Sequence, residues 1–438
     1  MAQQTAGFGQ TAGTDFDVVL KEYYEGPVRE HLNNKVPLLQ YVEKSKRKFS
    51  GRRVVFPIHT TRNAGVGGRG ETGNLPVAGK QAYAESRIVS KFLYGRITLT
   101  GAVIAASTGD KGAFASAMRT EVEGMRRDLR VDLNRQVWGN IIAADDGNKE
   151  TTGLLCQRNG GTGSIDAGTS ATLVVDNPGT RYLKKGMQLN FGTVTGVGAG
   201  TAGTAGSNAL EVTSVTNRTS VVVKNNHATV ATNLGDDDVA VLGDANGNSF
   251  NNEITGLSFI VSEDIKLQNI DPSDEEVWKS EVLDNPAAAG TNRPLSLELM
   301  QLAIDTADEV SGTEPNLIMG HHSLRREYIN LLTSDVRYAP EQLKGGFQKL
   351  TYAGGTNPMP IEFDRMAPYN KLFFVSTGDL KLYTMQDWKW ADRDGSVMNR
   401  VSGADSWEAF MCFYGNLGCE RRNSHVLLDD IEVSNLIF

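Results

Sequence analysis

Between residues 110 and 142, apolar positions fall at Phe114, Met118, Val122, Met125, Leu129, Leu133, Val137 and Ile141. Steps of three and four put them on one face of a 3.6-residue helix. The intervening positions carry Arg119, Glu121, Glu123, Arg126, Arg127, Asp128, Arg130, Asp132 and Arg135, with both signs mixed. Glu123 precedes Arg126 and Arg127 by three and four residues, the spacing at which helical side chains meet. Asp110 predicts the N-cap, and Gly139 or the turn at 145–147 the stop. Such a rod spans roughly 45–50 Å. Upstream, the β-branched run 52–61 predicts a strand, and 85–100 predicts another, with Ile88, Phe92 and Tyr94 alternating. The sequence RNAGVGGRGETG between them is too rich in glycine for regular structure. Two strands with a loose tip make an extended hairpin, and a lone hairpin is marginal in water. It is therefore expected to project and to lie on something else.

The first 15 residues have no periodicity and read as an extended arm, followed by a short helix over 15–33 and a second one opened by Pro37. From 151 to 257 the chain turns to Gly, Thr, Asn and Ala, with short β runs at 171–175, 187–191, 209–215, 219–224 and 238–242. Turn signals separate them, which predicts a small antiparallel barrel or sandwich. Beyond 257 helices (295–310, 322–332) and strands (317–319, 360–363, 371–375, 380–384, 409–419, 425–428) interleave irregularly. The fold class is α+β.

At 438 residues the chain has room for two or more cores. Its net charge of -8 is unevenly spread: residues 1–153 carry +6 and the remainder -14. A basic front and an acidic rear favour attraction between copies, and do not describe a dedicated nucleic-acid binder. A basic cluster at Lys44, Lys46, Arg47, Lys48, Arg52 and Arg53 suits phosphate or an acidic neighbour. The three cysteines have no metal spacing and predict a reduced compartment. No apolar run approaches the ~18–20 residues of a membrane span. Two stretches, 65–70 and 198–203, match GxGxxG, but neither sits between a strand and a helix as a dinucleotide fold requires. His321 and His322 are adjacent and cannot share one helix face as metal ligands. The residues supply no catalytic constellation, no cofactor motif and no metal site.

The order of parts, together with the phrases KVPLLQYVEKSKRKFSGRRVVFP, PIEFDRMAPYNKLFFVSTGDLKLY and NLGCERRNSHVLLDDIE, resembles the major capsid protein of tailed double-stranded DNA bacteriophages, the Hong Kong 97 fold family. That resemblance implies an N-terminal arm over 1–50, an E-loop hairpin over 51–106 and a spine helix of the peripheral domain within 107–150. It further implies an inserted all-β domain over 151–257, an axial domain over about 258–365 and C-terminal strands of the axial and peripheral domains over 366–438. The implied function is a non-enzymatic shell protein of the virion, assembled in the bacterial cytoplasm as hexamers and pentamers around phage DNA. The alternative is an encapsulin, a bacterial compartment with the same fold. Implied partners are the chain itself, a portal protein, a separate scaffolding protein, a decoration protein and the DNA, the last through nonspecific charge; no cofactor is implied. Arg62, Arg69, Lys80, Arg87 and Lys91 on the hairpin, and Arg126, Arg127 and Arg130 on the rod, are the expected contacts between subunits.

Overall fold

The computed structural model describes residues 36–47, 49, 51–103, 117–142, 150–161, 163–176, 178–194, 210–227, 231–244, 247–286, 290–335, 350–391 and 399–433. The expected arm and its helix over 15–33, the start of the rod and the loop at 198–203 lie outside these residues. The fold divides into two compact units. One contains Phe92–Asn134 and Gln386–Tyr414; the other contains Pro37–Lys91, Arg135–Met385 and Gly415–Phe438.

In the larger unit Pro37 opens a short helix, α1 (Pro37–Tyr41), that buries Leu38. The hairpin follows as β1 (Arg53–Thr61) and β2 (Ala82–Val89), antiparallel from Arg53 opposite Val89 to Thr61 opposite Ala82. Alternation sends Val54, Phe56 and Ile88 into a small core with Tyr383. The Phe56 ring stacks on Tyr383 at 6.5 Å, and the Arg47 guanidinium lies 4.6 Å from its other partner, the Phe56 centroid. The hairpin base is tied down twice. Arg87 N–H donates to the Gln268 carbonyl at 2.9 Å, and Asn416 Nδ2 donates to the Val89 carbonyl at 3.0 Å. Residues 62–81 between the strands form neither helix nor strand.

The strand expected to run unbroken over 85–100 is two strands. β2 ends at Val89, and β3 (Lys91–Thr100) starts after the buried Ser90. The reason is burial: β2 feeds Ile88 into the hairpin core, whereas β3 buries Gly95, Ile97 and Leu99 in the other unit. The rod is observed as α2 (Ala117–Trp138), 22 residues and so roughly 33 Å of described helix. It stops at Gly139, whose φ of 69° is left-handed and whose N–H donates to the Arg135 carbonyl at 3.1 Å. A Cβ at Gly139 would come within 2.9 Å of Phe259. The predicted stripe is half-buried at Val122, Met125, Leu129 and Leu133 and fully buried at Val137.

Six strands then pair in a closed ring: β4 (Leu154–Arg158), β5 (Ser170–Asp176), β6 (Gln188–Gly192), β7 (Leu210–Asn217), β8 (Ser220–Asn225) and β9 (Val239–Asp244). Every contact is antiparallel, running β9–β4–β5–β8–β7–β6 and back to β9. Full closure leaves these strands no open edge. Leu173, Val175, Leu189, Phe191, Val212, Val221, Val223 and Val239 are buried. The chain enters and leaves at one place: Thr152 N–H donates to Asn251 Oδ1 at 3.1 Å, and Asn251 N–H donates to the Thr152 carbonyl at 2.8 Å.

The rest of the larger unit is α+β. It comprises α3 (Leu257–Ile260), α4 (Leu297–Ser311), β10 (Leu317–Gly320), α5 (His322–Asp335), β11 (Met359–Phe363), β12 (Leu372–Val375), the first part of β13 (Leu380–Trp390), the end of β14 (Ser406–Cys419) and β15 (Val426–Leu428). The mixed sheet runs Glu281–Leu283, β15, β12, β10, β11, Thr351–Tyr352. Met300, Ala303, Ile304 and Ala307 of α4 pack on Ile318, Phe374, Val426 and Leu428. Ser296 caps α4 by accepting from Leu299 N–H at 3.1 Å, and Gly312 ends it at φ 66°.

In the smaller unit β3 pairs with β14, which is also flanked by β13 and Asn399–Arg400. Gly95 is needed here: a Cβ would come within 3.0 Å of the Met125 sulfur, so its absence lets the helix lie close on the strand. Trp388 and Phe413 rings meet at 5.1 Å.

Candidate assembly surfaces

The hairpin tip is built from local turns. Asn63 Oδ1 accepts Gly65 N–H at 2.7 Å, and Gly73 N–H donates to the Gly70 carbonyl at 2.9 Å. A Cβ at Gly79 would press within 2.8 Å of the Ala64 nitrogen, so the chain doubles back only because that position has no side chain. Around this frame Arg62, Arg69 and Lys80 are exposed, and Arg69 Nη1 donates only to the Gly68 carbonyl, at 2.9 Å. Leu75 and Val77 are each 86% exposed and Val66 63%. Covering a leucine or valine side chain stabilises by about 1.5–3 kcal/mol, so three bare ones on an irregular tip invite a partner surface. The GxGxxG at 65–70 belongs to this tip, with no helix following it.

Arg87 and Lys91 stand apart from the tip. Arg87 pairs along its own strand with Glu85 at 2.8 Å, and that carboxylate holds its guanidinium above the ordinary arginine range. Lys91 Nζ donates to the Asn251 carbonyl, and burial holds its ammonium below the usual lysine range against the pull of Glu150 and Glu253. On α2, Arg126 and Arg130 are exposed, and Arg127 is half-buried with partners of its own. The structure thus places three of the eight expected contact residues on the hairpin tip and two on an open helix face. The other three are engaged within the chain.

Several buried charges carry no signal in the sequence pattern. Arg135 forks onto Glu253 at 2.9 and 2.6 Å, both side chains nearly dry. Arg422, fully buried, gives Nε to the Ile260 carbonyl at 2.9 Å, Nη1 to Ile265 and Trp278 at 2.8 and 3.1 Å, and Nη2 to Phe259 at 3.1 Å. Burial lowers its pKa to about 10. Cys419 Sγ and His425 Nε2 are 3.4 Å apart, but burial pushes the thiol up and the imidazole down to about 4. That is the reverse of what an activated thiolate needs. Among the described residues no group of three or more His, Cys, Asp or Glu side chains could hold a metal. No described helix is long and apolar enough to cross a membrane.

No protein-family model matches the chain, and no curated protein matches it in sequence. Solved structures do. A chain of the cyanophage A-1(L) capsid asymmetric unit aligns over 95% of this chain and 99% of its own, with a TM-score of 0.57 at 11% identity. A capsid chain of a native GTA particle aligns over 97% and 100%, with a TM-score of 0.50 at 8% identity. An encapsulin from Synechococcus elongatus aligns over 97% and 98% at a TM-score of 0.44 and 7% identity, too distant to weigh. The chain therefore has the mixed helix-and-strand fold of phage capsid shells.

Proposed function

We propose that this chain is the major capsid protein of a tailed double-stranded DNA phage, with the Hong Kong 97 fold. Its copies assemble into hexamers and pentamers of an icosahedral shell around the genome, and it catalyses no reaction. The observation that carries this reading is the fold shared with the cyanophage capsid chain along nearly the whole of both chains. In this reading β1, β2 and their tip are the E-loop, α2 is the spine helix, and the closed ring of strands is a domain inserted between the spine and the α+β body. Arg62, Arg69 and Lys80, with Leu75 and Val77 beside them, lie on a neighbouring copy, as do Arg126 and Arg130 of the spine, while Arg127 is held within its own chain. Arg87 and Lys91 secure the hairpin's own base and have least to offer a neighbour. The shell is completed by a portal protein, built on a separate scaffolding protein, open to a decoration protein, and in contact with packaged DNA through charge alone.

A surface ion pair contributes about 0–1 kcal/mol, so no single contact holds such a shell. Many copies of the same weak contacts, each made on several neighbours at once, do. The full-length protein, produced with its phage's scaffolding protein and imaged by negative-stain microscopy, is expected to form closed shells of uniform diameter. Monomers that never assemble under these conditions would overturn the reading. Particles from infected cells filled with a folded protein in place of DNA would transfer it to the encapsulin class.

A further inference from the structure

Two turns of the strand ring carry arginines toward one tyrosine of the body. Arg181 sits in the 3-10 turn Gly179–Tyr182, and Arg218 in the tight turn between β7 and β8. Thr180 N–H donates to the Arg218 carbonyl at 2.8 Å, which fixes the two turns together. Both guanidiniums lie over the Tyr369 ring, at 4.7 and 4.9 Å from its centroid, and Arg181 is also 4.8 Å from Tyr182. His321 meets the same tyrosine edge-on at 4.6 Å. Arg181, Arg218, Tyr369 and His321 are all half-buried, and Arg181 Nε and Nη1 lie on the covered side.

Arg181 gives Nη2 to Tyr182 Oη at 3.1 Å and to the Met366 carbonyl, while its Nε and Nη1 have no acceptor. Among the described residues neither arginine forms an ion pair. The nearby Asp364 is already occupied, accepting from Trp138 Nε1 at 3.1 Å and Met366 N–H at 2.8 Å. The positive field is felt at His321: burial first, then Arg181, His322, Arg326 and Arg218, push it down to about 3. Its Nδ1 accepts from Ser323 N–H at 3.1 Å, so the neutral ring carries its proton on Nε2 as a further donor. An aromatic face offsets part of the repulsion between two guanidiniums, by about 0.5–2 kcal/mol each, but does not neutralise them. A tetrahedral phosphate oxyanion supplies the missing negative charge, and arginine's planar fork matches its oxygens.

We propose that Arg181 and Arg218, set over Tyr369, form a binding site for a phosphate group. Its source is free phosphate or the phosphodiester backbone of nucleic acid. The site is independent of the shell reading and stands whether or not the chain assembles.

The test uses the full-length protein with sodium pyrophosphate as probe, by calorimetry and thermal melting, against sodium chloride at equal ionic strength. Wild type is expected to bind pyrophosphate and melt higher in it. Arg218→Gln, at a side chain with no hydrogen bond among the described residues, and Arg181→Gln are each expected to weaken binding about tenfold or more. A short DNA duplex that displaces pyrophosphate from wild type assigns the site to the nucleic-acid backbone, and one that does not assigns it to free phosphate. No binding beyond the chloride control overturns the proposal, and so does equal binding by a well-folded Arg218→Gln. A polyglutamate peptide that needs both arginines while pyrophosphate stays silent overturns it in favour of an acidic protein segment.

Discussion

Arg422 shows how far a side chain's place can depart from its type. The C-terminal run in which it sits reads as charged and polar, yet the guanidinium has no exposed surface and is surrounded by carbonyls of residues 259–278. Sequence spacing carries no trace of this, because the acceptors come from backbone more than 140 residues away. Arg135 is hidden in the same way and Lys91 is half-buried, whereas Arg62, Arg69 and Lys80 are exposed as their glycine-rich context implies. Arg422→Lys keeps the charge but loses the fork, leaving several carbonyls unanswered. It is expected to cost about 3 kcal/mol in urea unfolding of the full-length chain. His425 gives a pH signature. Burial lowers its folded value to about 4, from 6.5 in an open chain. Between those values the unfolded chain takes up a proton that the folded chain refuses. Stability therefore falls as pH drops from about 6.5 to 4, by about 1.4 kcal/mol per unit for this group. Glu150 works in the opposite direction, because burial raises its carboxyl. Urea midpoints at pH 7 and pH 5 are expected to differ less in His425→Gln than in wild type.

Elements were more legible than side chains. The α4 period, five of the six strands of the closed ring (all but β4) and the stop at Gly139 follow from local rules: apolar spacing, alternation between turn signals, and a left-handed glycine. The break at Ser90 does not, because 85–100 is one uninterrupted β pattern, and only its two destinations divide it. The burial of the last turn of α2 is hidden from the pattern for a related reason. Its polar residues Asn134, Arg135 and Gln136 are buried alongside Val137 and Trp138, so amphipathic logic ends one turn before the helix does. Where a local rule does hold, it can be measured. Ser296→Ala removes the acceptor for Leu299 N–H and is expected to destabilise by about 1 kcal/mol, read as a lowered denaturation midpoint with unchanged helix content.

For the whole molecule, the division between a basic front and an acidic rear was plain from the sequence, but what each charge meets was not, since spacing along the chain does not bring one charge against another. If the tip lies on a neighbour, reversing Arg62, Arg69 and Lys80 to Glu should leave the circular dichroism spectrum unchanged. The yield of closed shells should fall by about tenfold or more, because the loss is repeated at every interface. Normal shells from this variant would remove the tip from the assembly argument. The ring of strands has a different bearing on the whole. Its two ends come together at a neck, where Asn251 Oδ1 accepts Thr152 N–H and Asn251 N–H donates to the Thr152 carbonyl. The body meets the ring at this neck and again where Tyr182 donates to the Met366 carbonyl at 3.1 Å and Arg181 and Arg218 lie over Tyr369. If copies of the chain tile a shell, a foreign module with adjacent termini spliced in at the neck would give up those contacts with Met366 and Tyr369 but would recur once per copy, as a regularly spaced display lattice.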